Sequence, residues 1–355
     1  MRIGFDARML DHPGIGRYIK NILHAMIEQA DGDNFVLYGD SGKLAVFNSF
    51  ENRDYDVPVY SLREFFSTYF GSEGLDLIHV PHFNISMYKK IKTVITIHDL
   101  IYLKFTKFLP VSKIIAAVPL ITNAVLKADK IIAVSENTKK DITERWPKTE
   151  DKIEVIYEAA DPVFRRIDDE EEKERARKKY NLPKDIILFV GSLRAHKNID
   201  RLIEAYKILK AKGISHKLVI VGRDNPKEQK THAKMKEDEV LYLGEIPQDD
   251  LVVIYNIAKA FVMPSLYEGF GLPVLEAFAC GIPVAASNVS SMPEVTHDAA
   301  LSFDPYNIEE MADAVYKILS DEGLRLSLIE KGSKRNSEFS WQIAAEKTLE
   351  VYRKI

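Results

Sequence analysis

The sequence predicts an α/β protein made of two doubly wound parallel-sheet domains. Its 355 residues are more than twice the roughly 150 residues expected of one domain. Short apolar or β-branched segments alternate with longer segments of helical periodicity, which is the pattern of βαβ units. This alternation begins again after a densely charged segment near the middle of the chain. We therefore expect one parallel sheet in each half.

In the first half, the predicted strands are short apolar segments separated by helical ones. The strands span 2–5, 34–38, 77–80, 93–97, 130–134 and 153–156. A helix over 16–30 places Tyr18, Ile22 and Met26 on one apolar stripe. Ser135 can cap a second helix over 137–145.

The charged segment at 165–185 holds eight basic and seven acidic residues, and several pairs have the i,i+4 spacing of helical ion pairs. Because the signs interleave and largely cancel, we interpret it as a solvated helix at a domain boundary rather than as a binding tail. The predicted domains are 1–166 together with 340–355, and 167–339. The segment 340–355 is predicted to be a closing helix.

The second half repeats the alternation of strands and helices. The predicted strands are 186–190, 217–221, 240–243, 260–263 and 283–286, and the predicted helices are 199–212, 248–258 and 274–280. The two halves are similar in architecture and share no sequence repeat.

The net charge and the cysteine content indicate which binding partners and which cellular compartment to expect. With 49 basic and 53 acidic residues the net charge is −4, so there is no whole-chain positive field and nucleic acid is not expected as the main partner. The single cysteine, Cys280, cannot form an internal disulfide or a zinc cluster, which favours a reducing compartment and a cytoplasmic protein. The short apolar segment behind Arg2 is too short for a signal peptide or a membrane span.

The most informative segment, 264–277, has the pattern of a strand end, a glycine-containing loop and a helix with Pro273 in its first turn. Glycines let a ligand approach the backbone, and the amides at a helix start favour phosphate or diphosphate. Glu268 and Glu276 lie eight residues apart across this turn. Carboxylates accept hydrogen bonds from hydroxyls, so the segment predicts a site for a sugar nucleotide.

A second loop, 191–198, follows the predicted strand 186–190 and opens the next helix. It carries Arg194 and Lys197 at the carboxyl end of a parallel strand, where open α/β sheets bind their ligands. Two cations at this edge could neutralise a leaving diphosphate.

The first half also contains possible cofactor-binding and metal-binding residues, for which the sequence signals are weaker. Gly14 and Gly16 open a helix after the first strand, but no third glycine or suitably placed acidic residue completes an NAD-binding fingerprint. His79 and His82 are not expected to bind a metal, because no carboxylate is spaced to complete the set. The Asp-x-Asp matches at 31–33 and 54–56 are interpreted as chance matches.

The loop from Glu268 to Glu276 resembles the E-x7-E motif of the family 4 glycosyltransferases, retaining enzymes of the two-Rossmann (GT-B) fold. The resemblance extends over nearly the whole chain. The other matching segments are 6–8, 14–18, 98–100, 133–135, 191–198, 285–288, 293–295 and 339–341. It implies two Rossmann-like domains facing a central cleft.

The same resemblance implies transfer of a hexosyl group from a nucleoside-diphosphate sugar to a hydroxyl of a glycan or glycolipid, with retention and without a metal cofactor. The pattern is most similar to mannosyltransferases of surface-polysaccharide and O-antigen assembly. GDP-mannose is therefore the preferred donor and a UDP-hexose the alternative. A nucleotide-sugar epimerase and a non-catalytic sugar-nucleotide-binding protein remain further alternatives.

The resemblance also implies roles for individual residues. Glu276 would bind the ribose hydroxyls, Glu268 the hydroxyls of the donor sugar, and Lys197 with Arg194 the diphosphate. His98, at the end of a predicted strand, would contact the transferred sugar. The remaining implied contacts are backbone amides at Phe270, Gly271 and Leu272, a base site near Gly222, Arg223 and Ile246, and a loop in the first domain with Gly14, Gly16, Arg17 and Tyr18.

The chain departs from the family pattern at three places. Many relatives have an arginine where this chain has Ser192 or His196, and many have Asn-Gly-x-Asp where it has Glu158-Ala159-Ala160-Asp161. A lysine-rich segment around the apolar stretch 114–126 is predicted to be a core helix, with contact with an anionic membrane as the alternative. Its lysines are Lys104, Lys107, Lys113, Lys127 and Lys130.

Overall fold

The structure is a computed structural model that describes residues 1–29, 32–66, 74–106 and 111–355. The chain divides into two compact units. Unit 1 comprises 1–158 and 340–355, and unit 2 comprises 159–339.

The division between the units lies between Glu158 and Ala159, whereas the sequence placed it after residue 166. Hydrogen bonds explain why the intervening residues belong to unit 2. The Ile167 N–H donates to Asn256 Oδ1 at 2.7 Å, and Asn256 Nδ2 donates to the Arg165 carbonyl oxygen at 2.9 Å. The charged helix that follows is thus already part of unit 2.

Unit 1 contains a twisted parallel sheet. Its described strands are β1 Arg2–Asp6, β2 Asn34–Gly39, β3 Glu51–Asp54, β4 Leu77–Val80, β5 Lys92–Ile97, β6 Lys130–Ala133 and β7 Ile153–Val155. They are ordered β3-β2-β1-β4-β5-β6-β7, so the strand order reverses direction between β1 and β4. The sequence did not predict β3 because its Glu-Asn-Arg-Asp sequence is polar; an edge strand can be polar since its outer side is not covered by another strand.

Unit 2 repeats this topology. Its described strands are β8 Ile186–Val190, β9 Lys217–Val221, β10 Leu241–Tyr242, β11 Ala260–Met263, β12 Val284–Ser287 and β13 Ala300–Phe303. They are all parallel and are ordered β10-β9-β8-β11-β12-β13. The order reverses between β8 and β11, which pair directly. Both sheets are therefore doubly wound, as predicted; the edge strand β13 was not predicted.

Helices connect the strands in both units. In chain order they are α1 Ile15–Gln29, α2 Ser41–Leu44, α3 Leu62–Phe66, α4 Ile101–Lys104, α5 Val111–Lys127, α6 Glu136–Arg145, α7 Glu170–Tyr180, α8 Ile199–Ala211, α9 Gln229–Glu237, α10 Gln248–Ile257, α11 Leu272–Ala279, α12 Met292–Thr296, α13 Ile308–Ser320, α14 Glu322–Asn336 and α15 Trp341–Arg353. Ser135 caps α6 as predicted, since its Oγ accepts from the Thr138 N–H at 3.0 Å. The charged segment forms α7, whose first turn is capped by Asp169.

The C-terminal helix α15 packs in unit 1 through a buried polar contact. The Tyr352 hydroxyl lies 2.6 Å from His79 Nδ1, and Thr96 Oγ1 lies 2.8 Å from His79 Nε2. Both partners are hydroxyls, which can donate or accept as a neutral imidazole requires. Burial lowers the pKa of His79 to about 3, so this ring is neutral at neutral pH.

We expect acid to destabilise unit 1 through His79. The unfolded chain binds a proton near pH 6.5, whereas the folded chain does so only near pH 3. Between these values the unfolded state holds more protons, so the free energy of unfolding should fall by about 1.4 kcal/mol per pH unit as pH decreases. Denaturant unfolding at pH 7 and pH 5.5 measures the slope. His79→Gln should flatten it; equal slopes in the two proteins would contradict the assignment.

Candidate functional site

Two loops meet at the carboxyl edge of the unit 2 sheet, where the strand order reverses. They are 191–198 after β8 and 264–271 after β11. The Leu266 N–H donates to the His196 carbonyl oxygen at 2.8 Å. Asn198 Nδ2 donates to the carbonyl oxygens of Pro264 at 3.0 Å and Pro305 at 2.7 Å. The two loops predicted from sequence to act together are therefore hydrogen-bonded to each other.

An ion pair joins the charged residues of the two loops. Lys197 Nζ lies 2.6 Å from Glu268 Oε1, and the two side chains are only 14% and 12% exposed. A lysine ammonium has three hydrogens to donate. Lys197 can therefore hold the Glu268 carboxylate and still donate to an anion at the same edge.

The second loop is fixed by two serines that the sequence analysis missed. Ser290 Oγ accepts from the Glu268 N–H at 3.1 Å and donates to the Glu268 carbonyl oxygen at 2.6 Å. Ser291 Oγ donates to the Phe270 carbonyl oxygen at 2.7 Å. A signal was available, because the two serines lie two and three residues after the predicted motif segment 285–288. They set the backbone from which Glu268 projects.

The turn into α11 needs a glycine. Gly271 has a φ of +119°, and a Cβ on it would lie 2.3 Å from Met292 Cε. The helix starts at the next residue with Pro273 in its first turn. The first N–H groups of a helix have no acceptor within it, so the Leu272 end of α11 offers donors and a positive dipole end at the loop.

Glu276 is the fifth residue of α11 and so begins its second turn, not the first turn that the sequence analysis predicted. Its side chain is buried, with the residue 1% exposed. The Tyr255 hydroxyl donates to Glu276 Oε2 at 2.8 Å. Sequence reasoning did not identify Tyr255, which lies 21 residues earlier on α10 and contacts Glu276 only in the folded unit.

The segments predicted to bind the base adjoin the phosphate loop. The Gly222 N–H donates to the Gly244 carbonyl oxygen at 2.9 Å, and the Leu193 N–H donates to the Arg223 carbonyl oxygen at 2.9 Å. The side chains of Arg223 and Arg194 are exposed, and Ile246 is half-buried. The predicted base and phosphate residues thus lie along one edge of the sheet.

His196, one of the departures from the family pattern, adds no charge to this loop. Burial, Lys197 and Arg194 together lower its pKa to about 2. The neutral ring leaves Lys197 and Arg194 as the cations of the loop 191–198.

We expect Gly222→Ala to destabilise unit 2 by about 2–5 kcal/mol. The φ of Gly222 is +143°, and a Cβ would lie 2.2 Å from the Gly191 carbonyl oxygen, which is backbone and cannot move aside easily. Gly213→Ala is the matched control, because Gly213 has a φ of +83° but no atom within 4 Å of its Cβ position. Denaturant unfolding measures the free energy of unfolding of both variants. If both lose the same amount, the close approach of Gly222 to Gly191 does not contribute to stability.

In unit 1, His98 follows β5 and is held from three sides. Its Nδ1 lies 2.9 Å from Glu158 Oε1, and its Nε2 lies 3.1 Å from the Pro81 carbonyl oxygen. The Tyr18 ring meets it edge-on, with 5.0 Å between ring centroids. Tyr18 was predicted to bind substrate, but it is 1% exposed and its hydroxyl contacts Thr96 Oγ1 at 3.1 Å. Its side chain therefore supports His98 from the core.

The other residues predicted to bind substrate in unit 1 lie at or near the start of α1. The fold requires a glycine at one of these positions and not at another. A Cβ on Gly16 would lie 2.2 Å from the Leu10 carbonyl oxygen, so glycine is needed there. Gly14 is exposed, and a Cβ on it would meet no atom within 4 Å. Arg17 is half-buried.

Unit 1 also contains a buried cluster of charged and polar side chains. Ligand atoms of Asp6, Glu64 and His82 lie within 4.8 Å of one another, so the fold brings His82 the carboxylates that its sequence neighbours lack. However, the Arg8 guanidinium pairs with Asp6 at 2.5 Å and also with Glu64. Although burial alone would raise the pKa of Asp6, Arg8 and His82 lower it overall. Arg8 thus pairs with both carboxylates of this cluster.

The fold and the site together define the class of protein to which the chain belongs. The protein has two Rossmann-like units, and the second presents cations, helix amides and carboxylates at its strand-order switch. Two family models match the chain: "Glycosyl transferases group 1" over residues 170–335 and "Glycosyltransferase Family 4" over residues 14–164. The chain belongs to these glycosyltransferases, which confirms the predicted family.

The similar curated proteins include two mannosyltransferases of Escherichia coli. The serotype-specific mannosyltransferase WbdA is 31% identical over 237 residues, which are 64% of this chain and 29% of WbdA. The O-antigen chain mannosyltransferase B is 36% identical over 171 residues, 47% of this chain and 45% of that protein. The chain therefore spans less than half the length of these relatives.

Solved structures share the fold over the whole chain. Sucrose-phosphate synthase from Thermosynechococcus elongatus has a TM-score of 0.78 at 21% identity, covering 100% of this chain and 98% of that one. HepE from Anabaena, solved with UDP and glucose, has a TM-score of 0.75 at 15% identity, covering 100% of both chains. These likenesses confirm the predicted GT-B fold.

Proposed function

We propose that the chain transfers a hexosyl group from a nucleoside-diphosphate sugar to a hydroxyl of a glycan or glycolipid, with retention of configuration. The observation that carries this is the Lys197–Glu268 pair at 2.6 Å, placed beside the start of α11 and the buried Glu276. The names of the similar mannosyltransferases support a mannosyl group, for which GDP-mannose is the donor. The complex of HepE with UDP and glucose supports a nucleotide-sugar donor.

Each donor group has a partner of matching chemistry in this proposal. Lys197, Arg194 and the amides at Phe270, Gly271 and Leu272 bind the diphosphate, because cations and helix-start amides favour phosphate. Glu276 accepts from the ribose hydroxyls and Glu268 from the donor sugar. The backbone at Gly222 and Arg223, with Ile246, takes the base.

The reaction needs stabilisation of the charge that develops on the leaving diphosphate. Lys197, Arg194 and the α11 amides supply fixed positive charge and dipoles, so no metal is required in this proposal. No carboxylate is identified as a covalent nucleophile. The acceptor hydroxyl would attack from the side that the diphosphate leaves, and the leaving phosphate would take its proton. In this proposal His98 contacts the transferred hexosyl group.

A thermal-shift panel of GDP, UDP and ADP and their sugars tests the donor. A ligand at 100 times its dissociation constant adds about 2.7 kcal/mol to the free energy of unfolding. We expect the largest rise in Tm with GDP and GDP-mannose. A larger rise with UDP-sugars would select the UDP-hexose alternative, and no rise with any of them would contradict the proposed function.

The acceptor reaction separates the remaining alternatives. A transferase releases free nucleoside diphosphate at a rate that rises with an added glycan or glycolipid acceptor. An epimerase would convert the donor sugar without any acceptor, and a non-catalytic protein would bind the donor without turnover. Mass spectrometry of the donor, the released nucleotide and the acceptor distinguishes all three outcomes.

We also propose that unit 1 touches an anionic membrane surface through α5. Ile115 and Leu126 of this helix are 68% and 57% exposed, and Lys127 follows them. Lys104 supports the idea less, because it pairs with Asp141 at 2.6 Å. The prediction for Lys107 and for the Lys113 side chain falls outside the described residues. Among the described residues, no helix has the length and apolar character needed to cross a bilayer.

Flotation with vesicles tests this contact. At low salt the protein should float with vesicles rich in anionic lipid and not with neutral phosphatidylcholine vesicles. Replacing Leu126 and Lys127 by glutamate should abolish flotation. The same change at Lys212, an exposed lysine of unit 2, should not. Absence of flotation at low salt would contradict the proposal.

A further inference from the structure

Glu158 is a departure from the family pattern that the structure connects to His98. In this chain Oε1 of the Glu158 carboxylate lies 2.9 Å from His98 Nδ1, and the two side chains are 6% and 19% exposed. Glu158 lies 60 residues after His98, so the contact exists only in the folded unit.

Two partners hold the imidazole at opposite edges of the ring. His98 Nε2 lies 3.1 Å from the Pro81 carbonyl oxygen, and Nδ1 lies 2.9 Å from Glu158 Oε1. Both oxygens are hydrogen-bond acceptors, so contacts at both ring nitrogens restrict the orientation of the ring.

The Tyr18 ring restricts His98 from a third side. It packs edge-on against the imidazole with 5.0 Å between ring centroids. The Tyr18 hydroxyl contacts Thr96 Oγ1 at 3.1 Å, so the tyrosine ring is itself held in place.

We propose that Glu158 is a positioning residue that fixes the orientation of the His98 ring; this rests on the proposed function, in which His98 contacts the transferred hexosyl group. The carboxylate at Nδ1 and the Pro81 carbonyl oxygen at Nε2 hold the ring at two edges. A ring held in this way presents the same face to the hexosyl group in each turnover.

A double-mutant cycle tests the coupling between the two residues. Glu158→Ala removes the oxygen that lies beside Nδ1. In the wild-type background it should lower kcat about 10-fold with the donor KM within about twofold, because the residues proposed to bind the diphosphate, the ribose and the base lie in unit 2. In a His98→Ala background the same change should alter kcat less than about twofold. Equal losses in both backgrounds, or no loss in either, would overturn the proposal.

Glu154→Ala is the matched control. Glu154 lies on β7 in the same part of the chain and is 41% exposed, and within the described ranges its ion pair is with Lys130 at 3.9 Å. It should leave kcat unchanged in both backgrounds. A structural role of Glu158 alone would lower the free energy of unfolding without the background-dependent change in kcat.

Glu158→Gln is the conservative variant. Its amide oxygen can still accept from Nδ1, so it should retain more of the wild-type kcat than Glu158→Ala does. Equal losses in these two variants would overturn the proposal. Failure of the proposed function would appear separately, as absence of a nucleotide-induced rise in Tm.

Discussion

Replacing Lys197 by alanine should lower kcat by about 10²–10³-fold, the usual cost of removing one group aimed at developing negative charge. The ammonium is 14% exposed and lies 2.6 Å from Glu268 Oε1. Its loss takes away the cation proposed to stabilise the leaving diphosphate. It also leaves the Glu268 carboxylate, itself only 12% exposed, without this partner, so the free energy of unfolding should fall as well.

Two further variants separate these effects. In Lys197→Ala with Glu268→Gln, the buried charge is gone, so stability should recover while kcat stays low. Lys212→Ala is the matched control, because Lys212 forms a more exposed pair with Asp313 at 2.5 Å in the same unit and should change neither quantity appreciably. Steady-state kinetics and denaturant unfolding measure both. Activity of Lys197→Ala within a few-fold of wild type would refute its role.

Replacing Glu276 by alanine should lower kcat/KM by about 10²-fold or more, through the loss of charge-assisted hydrogen bonds to the ribose. Glu276 is 1% exposed, and the Tyr255 hydroxyl fixes Oε2 at 2.8 Å. Because ribose binding also operates before the transition state, part of the loss should appear as a higher donor KM.

Comparing ligands with and without a ribose shows which contact the Glu276→Ala variant has lost. In Glu276→Ala the rise in Tm caused by a nucleoside diphosphate should shrink, while any rise caused by inorganic pyrophosphate, which has no ribose, should persist. Tyr255→Phe removes only the hydroxyl that orients Glu276 and should cost about 10-fold or less. Unchanged nucleoside diphosphate binding by Glu276→Ala would show that this carboxylate does not bind the ribose.

Features encoded in consecutive residues were predictable. The loop 264–271 and the start of α11 follow from glycine, proline and strand patterns within about a dozen residues. The same local signals predicted α7 and the Ser135 cap. Partnerships between distant residues were not predictable. Ser290 meets Glu268 across 22 residues, Tyr255 meets Glu276 across 21, and Glu158 meets His98 across 60.

The role of Tyr18 shows the same difference. Its position in a glycine-containing loop motif favoured substrate contact, and its place on the apolar stripe of α1 favoured the core. Periodicity alone could not decide between them, because both fit the same helix. Burial to 1% exposure decided for the core, since Tyr18 contacts Thr96 of β5 and Trp341 of α15.

By itself the sequence determined the two parallel sheets, the family and the segments that carry the charged residues, because periodicity and short motifs are local properties of the chain. Only the tertiary structure decided which polar and charged side chains meet: Lys197 with Glu268, Arg8 with Asp6, and His98 with Glu158. The reason is the doubly wound strand order. It places the ends of β8 and β11 side by side although many residues separate them, and no local pattern encodes that neighbourhood.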